Sequence, residues 1–309
     1  MTIHPFKAAV ENGVSADKFA SLFTPDVTLR TPMLAKIIGG RDLVVRVIST
    51  AARIGKPYYT QVGDSHRTIL LWTGMVDGYK LQAATMLVND AVGLIRHVIV
   101  LMRPWPVVTH FREAMHRELS SILPDNYRQL DPQSTEDRLE EIIPAVSQDS
   151  PEKFASNVTF HSPILTKSVS GREQVSEAIE CVHKILGSCI FLLRFVTPMQ
   201  SIDLWEVTFQ GYPMQGFIVN QLDSDGAITD HTVILRPWPV VPLLRDAVKA
   251  LQISFLLITG HCQSIHKMFH HFRVTILNRF KISKRDSTDG SRRVQAMVFE
   301  EQPHRKRHL

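Results

Sequence analysis

Five acidic or histidine residues in the second half of the chain lie where alternating apolar and polar residues indicate strands: His161, Asp203, Glu206, Asp230 and His231. Carboxyl and imidazole groups exchange protons readily, and two of them in an apolar pocket can serve as general acid and general base when their pKa values differ. Asp203 and Glu206 bracket Trp205, so on a regular strand they point to opposite faces and one alone can face a pocket. As the alternative, these are edge or interface residues that bond to their neighbours.

The first half carries a different set of candidates. Asp64 and His66 are two residues apart, so on a strand from Tyr58 to Arg67 they share a face and can form an acid/base pair. A carboxylate at a turn beside a solvated histidine explains them equally well. His97, on the last strand of this half, is a candidate for contact with a bound molecule.

Aromatic residues form a second group of candidates. Trp72 and Trp205 lie in the middle of strands, where a core position or a contact with substrate is expected. Tyr79 and Tyr212 each follow a turn glycine and can bond across a hairpin. We expect Trp72, Trp205 and Tyr212, together with His97, to be the substrate-binding candidates.

Sequence motifs for cofactors and metals are missing. The glycines form neither a dinucleotide-binding nor a phosphate-binding motif. Cys181 and Cys189 lack the spacing of zinc ligands, and three cysteines in 309 residues suit a reducing compartment. The sequence therefore predicts a protein without cofactor or metal.

The chain repeats itself. Residues Phe23 to Val44 match Phe154 to Val175 at an offset of 131, with 9 of 22 positions identical. Residues Trp72 to Val108 match Trp205 to Val241 at an offset of 133, with 14 of 37 identical. Because each unit is long enough to fold alone, the sequence predicts two tandem domains.

The candidate residues are not repeated with the motifs. His161, Asp203, Glu206 and His231 correspond by these offsets to Arg30, Leu70, Thr73 and Val98. Either one domain has lost its catalytic residues and serves as a scaffold, or the two domains handle different steps. We favour one competent domain, and the second domain over the first.

Each unit reads as an α+β domain. In the first, an opening helix over Phe6 to Phe23 precedes a strand over Val27 to Met33 and a helix over Arg41 to Ala52. Three long strands follow over about Tyr58–Arg67, Thr68–Val76 and Tyr79–Val88, and a last strand over Gly93 to Met102 ends at Arg103-Pro104. Sheets of such long strands curl, so helices fill the concave side. The last two strands are apolar on both faces, which predicts that the other face packs on the partner domain as an intramolecular pseudo-dimer.

The predicted boundaries are 1–118 for domain one, 119–134 for a linker, 135–251 for domain two and 252–309 for a basic tail that is disordered or partly helical, with the helix from Ile265 to Phe280. From Gln252 onward the chain has 11 Lys and Arg against 4 Asp and Glu, which leaves a nearly balanced 24 and 26 in the body. The body thus shows no nucleic-acid-binding charge. Without an apolar segment of spanning length or a signal sequence, we expect a cytoplasmic protein.

The pattern Phe-x₃-Val-x₃-Ser/Thr-Pro, a glycine before a helix, a long hairpin, then Gly-x-Ile ahead of Arg-Pro-Trp-Pro resembles the SnoaL-like branch of the nuclear-transport-factor-2-like superfamily. The resemblance covers nearly all of residues 1–250, twice, and implies cone-shaped domains. It also implies that His231, rather than Asp230, reaches the pocket, because a polar pair follows Gly-x-Ile on the family's final strand.

The tandem arrangement is similar to that of the epoxide hydrolases of polyether polyketide biosynthesis. This similarity implies an apolar, polyketide-like substrate whose epoxide is opened with closure of a ring by acid/base catalysis. A polyketide cyclase, dehydratase or isomerase of the same fold is the alternative among enzymes, and a non-catalytic binding or scaffold module is the alternative outside them. A cavity with convergent polar groups favours the enzyme, and a cone plugged by aromatic side chains favours the scaffold.

Overall fold

The computed structural model describes residues 3–13, 15–55, 58–64, 66–130, 138–139, 142–143, 145–146 and 153–259. By its internal contacts the chain divides into a unit over Met1–Cys262, which contains both repeats, and a unit over Gln263–Leu309, which lies outside the described residues. A helix predicted from Ile265 to Phe280 also lies outside them. Among the described residues, no helix is both long and apolar enough to cross a membrane.

Repeat one begins with two short helices and continues as a strand, a helix and a series of long strands. The elements are α1 (Pro5–Asn12), α2 (Ala16–Ala20), β1 (Phe23–Arg30), β2 (Ile38–Gly39), α3 (Arg41–Gly55), β3 (Tyr58–Gly63), β4 (Arg67–Val76), β5 (Tyr79–Asn89), β6 (Ile95–Arg103) and α4 (Trp105–Leu119). A short 3₁₀ helix follows at Asp125–Arg128.

Repeat two has the same order of strands and long helices. The elements are β7 (Phe154–His161), β8 (Val169–Ser170), α5 (Arg172–Leu186), β9 (Ile190–Thr197), β10 (Gln200–Phe209), β11 (Tyr212–Leu222), β12 (Ile228–Arg236), a 3₁₀ helix (Trp238–Val240) and α6 (Val241–Thr259). The described residues contain no counterpart of α1 and α2 as helices before β7. The predicted boundary between residues 251 and 252 falls inside α6.

The hairpins set the register of each sheet. Asp77-Gly78 and Gln210-Gly211 both have positive φ, which gives the two-residue turns that match the twist of antiparallel strands. From these turns β4 pairs with β5, and β10 with β11, without a shift over ten residues. In each repeat the first strand, β1 or β7, pairs in parallel with the last strand, β6 or β12.

The helices fill the concave side of each sheet, as the sequence predicts. In α3 the apolar residues Val44, Val47 and Ile48 recur on one side and are buried, together with Trp72 and Met102 of the sheet. In α5, Val175 and Leu186 are buried on the corresponding side. Each repeat is therefore an α+β cone.

The convex faces of the two sheets pack on each other. Their shared core contains Ile69, Met86 and Ile99 from repeat one and Leu204, Phe217 and Ile234 from repeat two, together with Leu139 and Ile143 from the segment between the repeats. One residue pair, Leu235 with Met102, joins β12 to β6 and makes the two sheets continuous. The sheets, whose last two strands are apolar on both faces, are thus covered on both faces, by helices on the concave face and by the other repeat on the convex face.

Candidate functional site

A large cavity lies inside the cone of repeat two, between its sheet and the helices α5 and α6. Its volume is about 740 Å³, which is in the range of sites for small molecules. Most of its walls are apolar, and the polar side chains among them are Ser162, His183, Cys189 and His231. Its size and walls suit an apolar molecule that meets a few polar groups.

Repeat one has the same cavity in a nearly closed form. The residual space is about 40 Å³ and is lined by the residues that correspond to those of repeat two, such as Thr31 for Ser162, Trp72 for Trp205 and Val98 for His231. Phe6 of α1 also lines it and packs against the rings of Phe19 and Phe23. Repeat one is thus plugged by an aromatic side chain of its own opening helix.

Smaller wall residues do not explain the open cavity. Val182 and His183 of repeat two are larger than Ala51 and Ala52, their counterparts in repeat one. The difference is the plug, because no residue that precedes β7 lines the cavity within the described part of the chain. Leu139 and Ile143, which stand where α1 would be expected, are buried in the core between the repeats instead.

His231 is the buried polar group of this cavity. It lies on β12, is 2 % exposed, and its ring packs against Phe154 and Phe160 at centroid distances of 5.6 and 5.5 Å. Burial lowers the pKa of His231 to about 4, against the opposing effect of the Asp230 charge. The imidazole is therefore neutral at pH 7.

A chain of hydrogen bonds fixes the tautomer of His231. Asn220 donates through Nδ2 to Ser201 Oγ at 3.1 Å, so its Oδ1 faces His231 Nδ1 at 2.8 Å. An amide oxygen only accepts, and Nδ1 must therefore carry the proton. Nε2 keeps its lone pair and is the basic nitrogen of the ring.

Asp203 lies on the same concave face as Trp205, two residues earlier on β10. It is 2 % exposed, and Arg194 Nε is 3.4 Å from its Oδ1. Burial raises the pKa of Asp203, and Arg194 opposes this effect. Asp203 does not line the cavity itself but lies beside two residues that do, Trp205 and Ile218, its partner on β11.

Glu206 faces the other way, into the contact between the repeats. Its Oε2 accepts from the backbone N–H of Leu139 at 2.8 Å and from Gln215 Nε2 at 2.5 Å, and Gln215 in turn accepts from Arg236. Glu206 follows Asp203 by three positions, an odd separation that places the two side chains on opposite faces of the strand, so Glu206 is part of the interface.

His161 and Asp230 also lie on the convex face. His161 Nε2 and Asp230 Oδ2 are 2.7 Å apart, and Thr232 Oγ1 donates to Asp230 Oδ1 at 2.9 Å. Asp230 precedes His231 and must point to the opposite side of β12. Both residues are outside the cavity of repeat two, where the sequence places His161 as a candidate.

Asp64 and His97 have local roles in repeat one. β3 ends at Gly63, so Asp64 lies in a turn, where its Oδ1 accepts from the backbone N–H groups of His66 and Arg67 at 2.8 and 2.7 Å. The predicted strand to Arg67 is too long, and the alternative of a turn carboxylate describes the position. His97 is half-buried on the convex face, with its Nδ1 2.8 Å from Thr28 Oγ1.

The aromatic candidates lie in different places, and only some of them reach a cavity. Trp205 lines the large cavity, and Trp72 lines the residual space of repeat one and donates from Nε1 to Thr85 Oγ1 at 3.0 Å. Tyr212 packs at the edge of the core of repeat two but does not line its cavity, and Tyr79 is exposed and stacks on His110. Trp205 is the aromatic candidate that meets the open cavity.

Six polar residues of this region were not among the sequence candidates: Ser162, His183, Cys189, Arg194, Ser201 and Asn220. The register gives a signal for two of them, because counting outward from the Gln210-Gly211 turn places Ser201 opposite Asn220, which lies opposite His231. For His183 and Arg194 the sequence offers no comparable signal. Among the described residues, no group of three or more His, Cys, Asp or Glu could hold a metal ion.

No family model and no curated protein matches the chain by sequence. Solved structures with a similar fold include an uncharacterized Silicibacter pomeroyi protein with a cystatin-like fold, at 24% identity and a TM-score of 0.37 over 41% of this chain and 94% of the other. A steroid delta-isomerase from Pseudomonas aeruginosa is similar at 22% identity and a TM-score of 0.35, over 39% and 96%.

A Mycobacterium tuberculosis protein in complex with estradiol-17β-hemisuccinate is similar at 14% identity and a TM-score of 0.26, over 30% of this chain and 85% of the other. Each match spans roughly the length of one repeat. The order of its own elements, in which a strand, a helix and four curved antiparallel strands enclose a core, gives each repeat the cone-shaped α+β fold that the sequence resemblance predicts.

Proposed function

We propose that this chain is an acid–base enzyme that transforms an apolar small molecule in the cavity of repeat two. The observation that carries the proposal is His231, a neutral imidazole in an apolar cavity of about 740 Å³. A buried histidine costs free energy that a valine would not, and repeat one has Val98 at this position. The polar group is thus placed where a substrate would meet it.

The reaction that we propose is the opening of an epoxide with closure of a ring on an apolar, polyketide-like substrate. His231 Nε2 takes the proton of the attacking hydroxyl group as the C–O bond forms. The epoxide C–O bond breaks, and its oxygen takes a proton that comes from Asp203 through one water molecule, because Asp203 lies behind the cavity wall and not in it. Burial raises the pKa of Asp203, as a proton donor requires. The two protons balance, so this chemistry needs no cofactor.

An isomerase is the second candidate function, and the composition of the cavity wall favours it. Within the described residues, the ionisable side chains that line the cavity are His183, Cys189 and His231, and burial raises the pKa of Cys189 to about 11. A single base suffices to move a proton between two carbons of an unsaturated ketone. In this reaction Asp203 would only support the wall.

Repeat one is assigned the scaffold role in this proposal. Phe6 fills its cone, and Val98 and Leu70 replace the two polar groups that act in repeat two. Of the two explanations for the mismatch between repeats, the proposal adopts one competent domain, the second.

The experiment compares the wild-type chain with His231→Ala and Asp203→Asn on two substrates. 5-Phenyl-4,5-epoxypentan-1-ol reports ring closure by chromatography, and cyclohex-3-en-1-one reports isomerisation by the absorbance of the conjugated product. We expect His231→Ala to lower kcat/KM on the accepted substrate by about 10²–10⁴-fold, the usual contribution of a general base. A similar fall of kcat/KM in Asp203→Asn supports epoxide opening, whereas an unchanged kcat/KM in this variant supports isomerisation.

His97→Ala is the matched control, because His97 is a histidine of the same fold that lies on the convex face of repeat one. It should keep the wild-type rate. If His231→Ala also keeps that rate, or if the wild-type chain turns over neither substrate, the proposed function is wrong.

A further inference from the structure

The lip of the large cavity is the short segment that follows β7. Ser162, Pro163 and Ile164 all line the cavity, and Ile164 donates its N–H to Ser162 Oγ at 3.3 Å. The segment leaves the sheet, so ladder hydrogen bonds do not fix its position. The contacts that fix the position of these three residues therefore set the width of the cavity beside Phe160.

Repeat one supplies what holds the lip. Arg103, the last residue of β6, donates from Nε and Nη2 to the carbonyl oxygen of Ser162 at 3.1 and 2.9 Å and from Nη2 to that of Leu165 at 3.4 Å. The N–H of Trp105 donates to the carbonyl oxygen of Pro163 at 2.7 Å. Three carbonyl groups of the lip are thus bound by the other repeat.

The guanidinium is itself held in place. Arg103 is 4 % exposed and donates from Nη1 to Gln82 Oε1, its partner on β5. Burial lowers the pKa of Arg103 to about 10, with Asp230 opposing this effect, so the group stays charged at neutral pH. A planar fork with several donors can bridge two carbonyl groups, whereas the point charge of a lysine cannot reproduce that geometry.

Repeat two makes the corresponding contact with repeat one, which allows the two contacts to be compared. Arg236 donates from Nε to the carbonyl oxygen of Thr31 at 3.4 Å, and the N–H of Trp238 donates to that of Pro32 at 2.6 Å. This second clamp holds the lip of a cavity with only about 40 Å³ of free space. The two arginines therefore make matching contacts, but Arg236 holds the lip of a filled cone and Arg103 holds the lip of an open one.

We propose that Arg103 is a positioning residue for the cavity of repeat two, supplied across the repeat boundary, and that it sets which apolar molecules the cavity accepts. The link to turnover rests on the proposed function, but the effect on binding does not. The binding site of repeat two is incomplete without repeat one, because the lip is held by Arg103 and Trp105.

The test uses N-phenyl-1-naphthylamine, an uncharged apolar probe that fluoresces when bound, on the full chain. We expect Arg103→Lys to raise its Kd about tenfold, and to raise KM on an accepted substrate with kcat changed less than threefold. Arg236→Lys, the matched control, should leave Kd and KM near the wild-type values at a comparable loss of Tm. Gln82→Leu, which removes only the support of Arg103, should raise Kd in the same direction by a smaller factor.

Hydrogen exchange gives a second measurement that needs no ligand. In Arg103→Lys, faster exchange should be confined to the amides of Ser162 and of residues 164–166. Equal increases of Kd in Arg103→Lys and Arg236→Lys, or no increase in Arg103→Lys and Gln82→Leu, would overturn the positioning role. Absence of probe binding to the wild-type chain would overturn it too, whereas binding without turnover on either substrate would remove the proposed function alone.

Discussion

At the scale of single residues, the two repeats differ most at one position of the last strand. Val98 and His231 occupy the same place on the concave face, and both are buried. In repeat one the side chain completes an apolar core, and in repeat two it puts a basic nitrogen into a cavity. Asn220 and Ser201 satisfy the other ring nitrogen, so the polar group is accommodated without loss of the fold.

The buried neutral imidazole predicts how stability depends on pH. The pKa of His231 is about 4 in the folded chain and about 6.5 when unfolded, so between these values the unfolded chain binds the extra proton. Stability from this group is complete above about pH 6.5 and is lost as pH falls toward 4, by about 3 kcal/mol in total. Urea unfolding of the wild-type chain and of His231→Gln at several pH values measures this loss.

In the His231→Gln variant the free energy of unfolding should fall less between pH 6.5 and 4, because the contribution of His231 is absent. A wild-type chain whose free energy of unfolding falls no more steeply than that of the variant would show that His231 titrates normally. His97→Gln serves as the comparison: burial lowers the pKa of His97 as well, but His97 is only half-buried, so its substitution should remove a smaller part of the decline.

The residues of the site could be predicted only in part. Alternation along β10 and β12 already requires that Asp203 and Glu206, and Asp230 and His231, face opposite sides. Which side is concave depends on how the sheet curls and on what packs behind it, and these are properties of the whole fold. Glu206 was a candidate for this reason, although it lies between the repeats.

At the scale of elements, the central hairpin of each cone shows how the cavity wall is shaped. Trp72 lies opposite Ala83, and Trp205 lies opposite Gly216. A Cβ atom at Gly216 would be 2.2 Å from Cζ2 of Trp205, so the indole lies directly over the backbone of β11. The missing side chain lets a large aromatic ring line the cavity without filling it.

Gly216→Ala should therefore push the Trp205 ring toward the cavity. Such overpacking costs typically about 1–3 kcal/mol of stability. We expect the Kd of N-phenyl-1-naphthylamine to rise at least tenfold, with a lower Tm in thermal unfolding. Ala83→Gly, the opposite change at the matching position of repeat one, should leave probe binding unchanged, and unchanged binding in Gly216→Ala would contradict this view of the wall.

Most elements follow from the local sequence, because turn residues and periodicity determine them. Asp77-Gly78 sets one hairpin, and β5 ends within a residue or two of the prediction. The opening helix was predicted to be continuous to Phe23, but Gly13 ends α1 in a left-handed conformation and β1 starts at Phe23. Local patterns also do not show that α6 continues past residue 251.

At the scale of the whole molecule, the two repeats use their opening segments differently. In repeat one, α1 lies in the cone with Phe6 and closes it. In repeat two, Leu139 and Ile143 lie between the two sheets, where Leu139 is bound by Glu206, and the cone stays open. Because Leu139 and Ile143 pack between the two sheets and not inside the cone, they add to the contact between the repeats and leave the candidate site open.

This arrangement was not predictable from the repeat alone. The repeat at the offset of 131 extends from Phe23 onward, whereas the segment ahead of β1 is repeated only in part, as residues 18–21 and residues 153–156 both read KFAS. In repeat two these residues lie at the start of β7 and not in a helix. Where such a segment packs depends on a surface that exists only once both sheets have formed. The open cone is therefore a consequence of the tandem pair and not of either repeat.

Repeat one alone should not remain a monomer. Ile69, Ala84 and Met86 lie on its convex sheet face, are fully buried by repeat two, and would be exposed in a chain of residues 1–130. The contacts between repeats are nearly symmetric, with Arg103 and Arg236 in matching clamps and Trp105 stacked on Trp238 at 6.0 Å. A face that pairs with its own near-copy can pair with itself.

We expect sedimentation velocity to show residues 1–130 as a homodimer, and to show a one-to-one complex when residues 131–262 are expressed with them. Met86→Glu on the convex face should prevent the homodimer because it would bury an unpaired charge. Lys80→Glu introduces the same acidic side chain at an exposed position near the start of β5, outside this core, and as the control should leave association intact. A soluble, folded monomer of residues 1–130 would contradict this prediction, because it would show that the convex face does not require a partner.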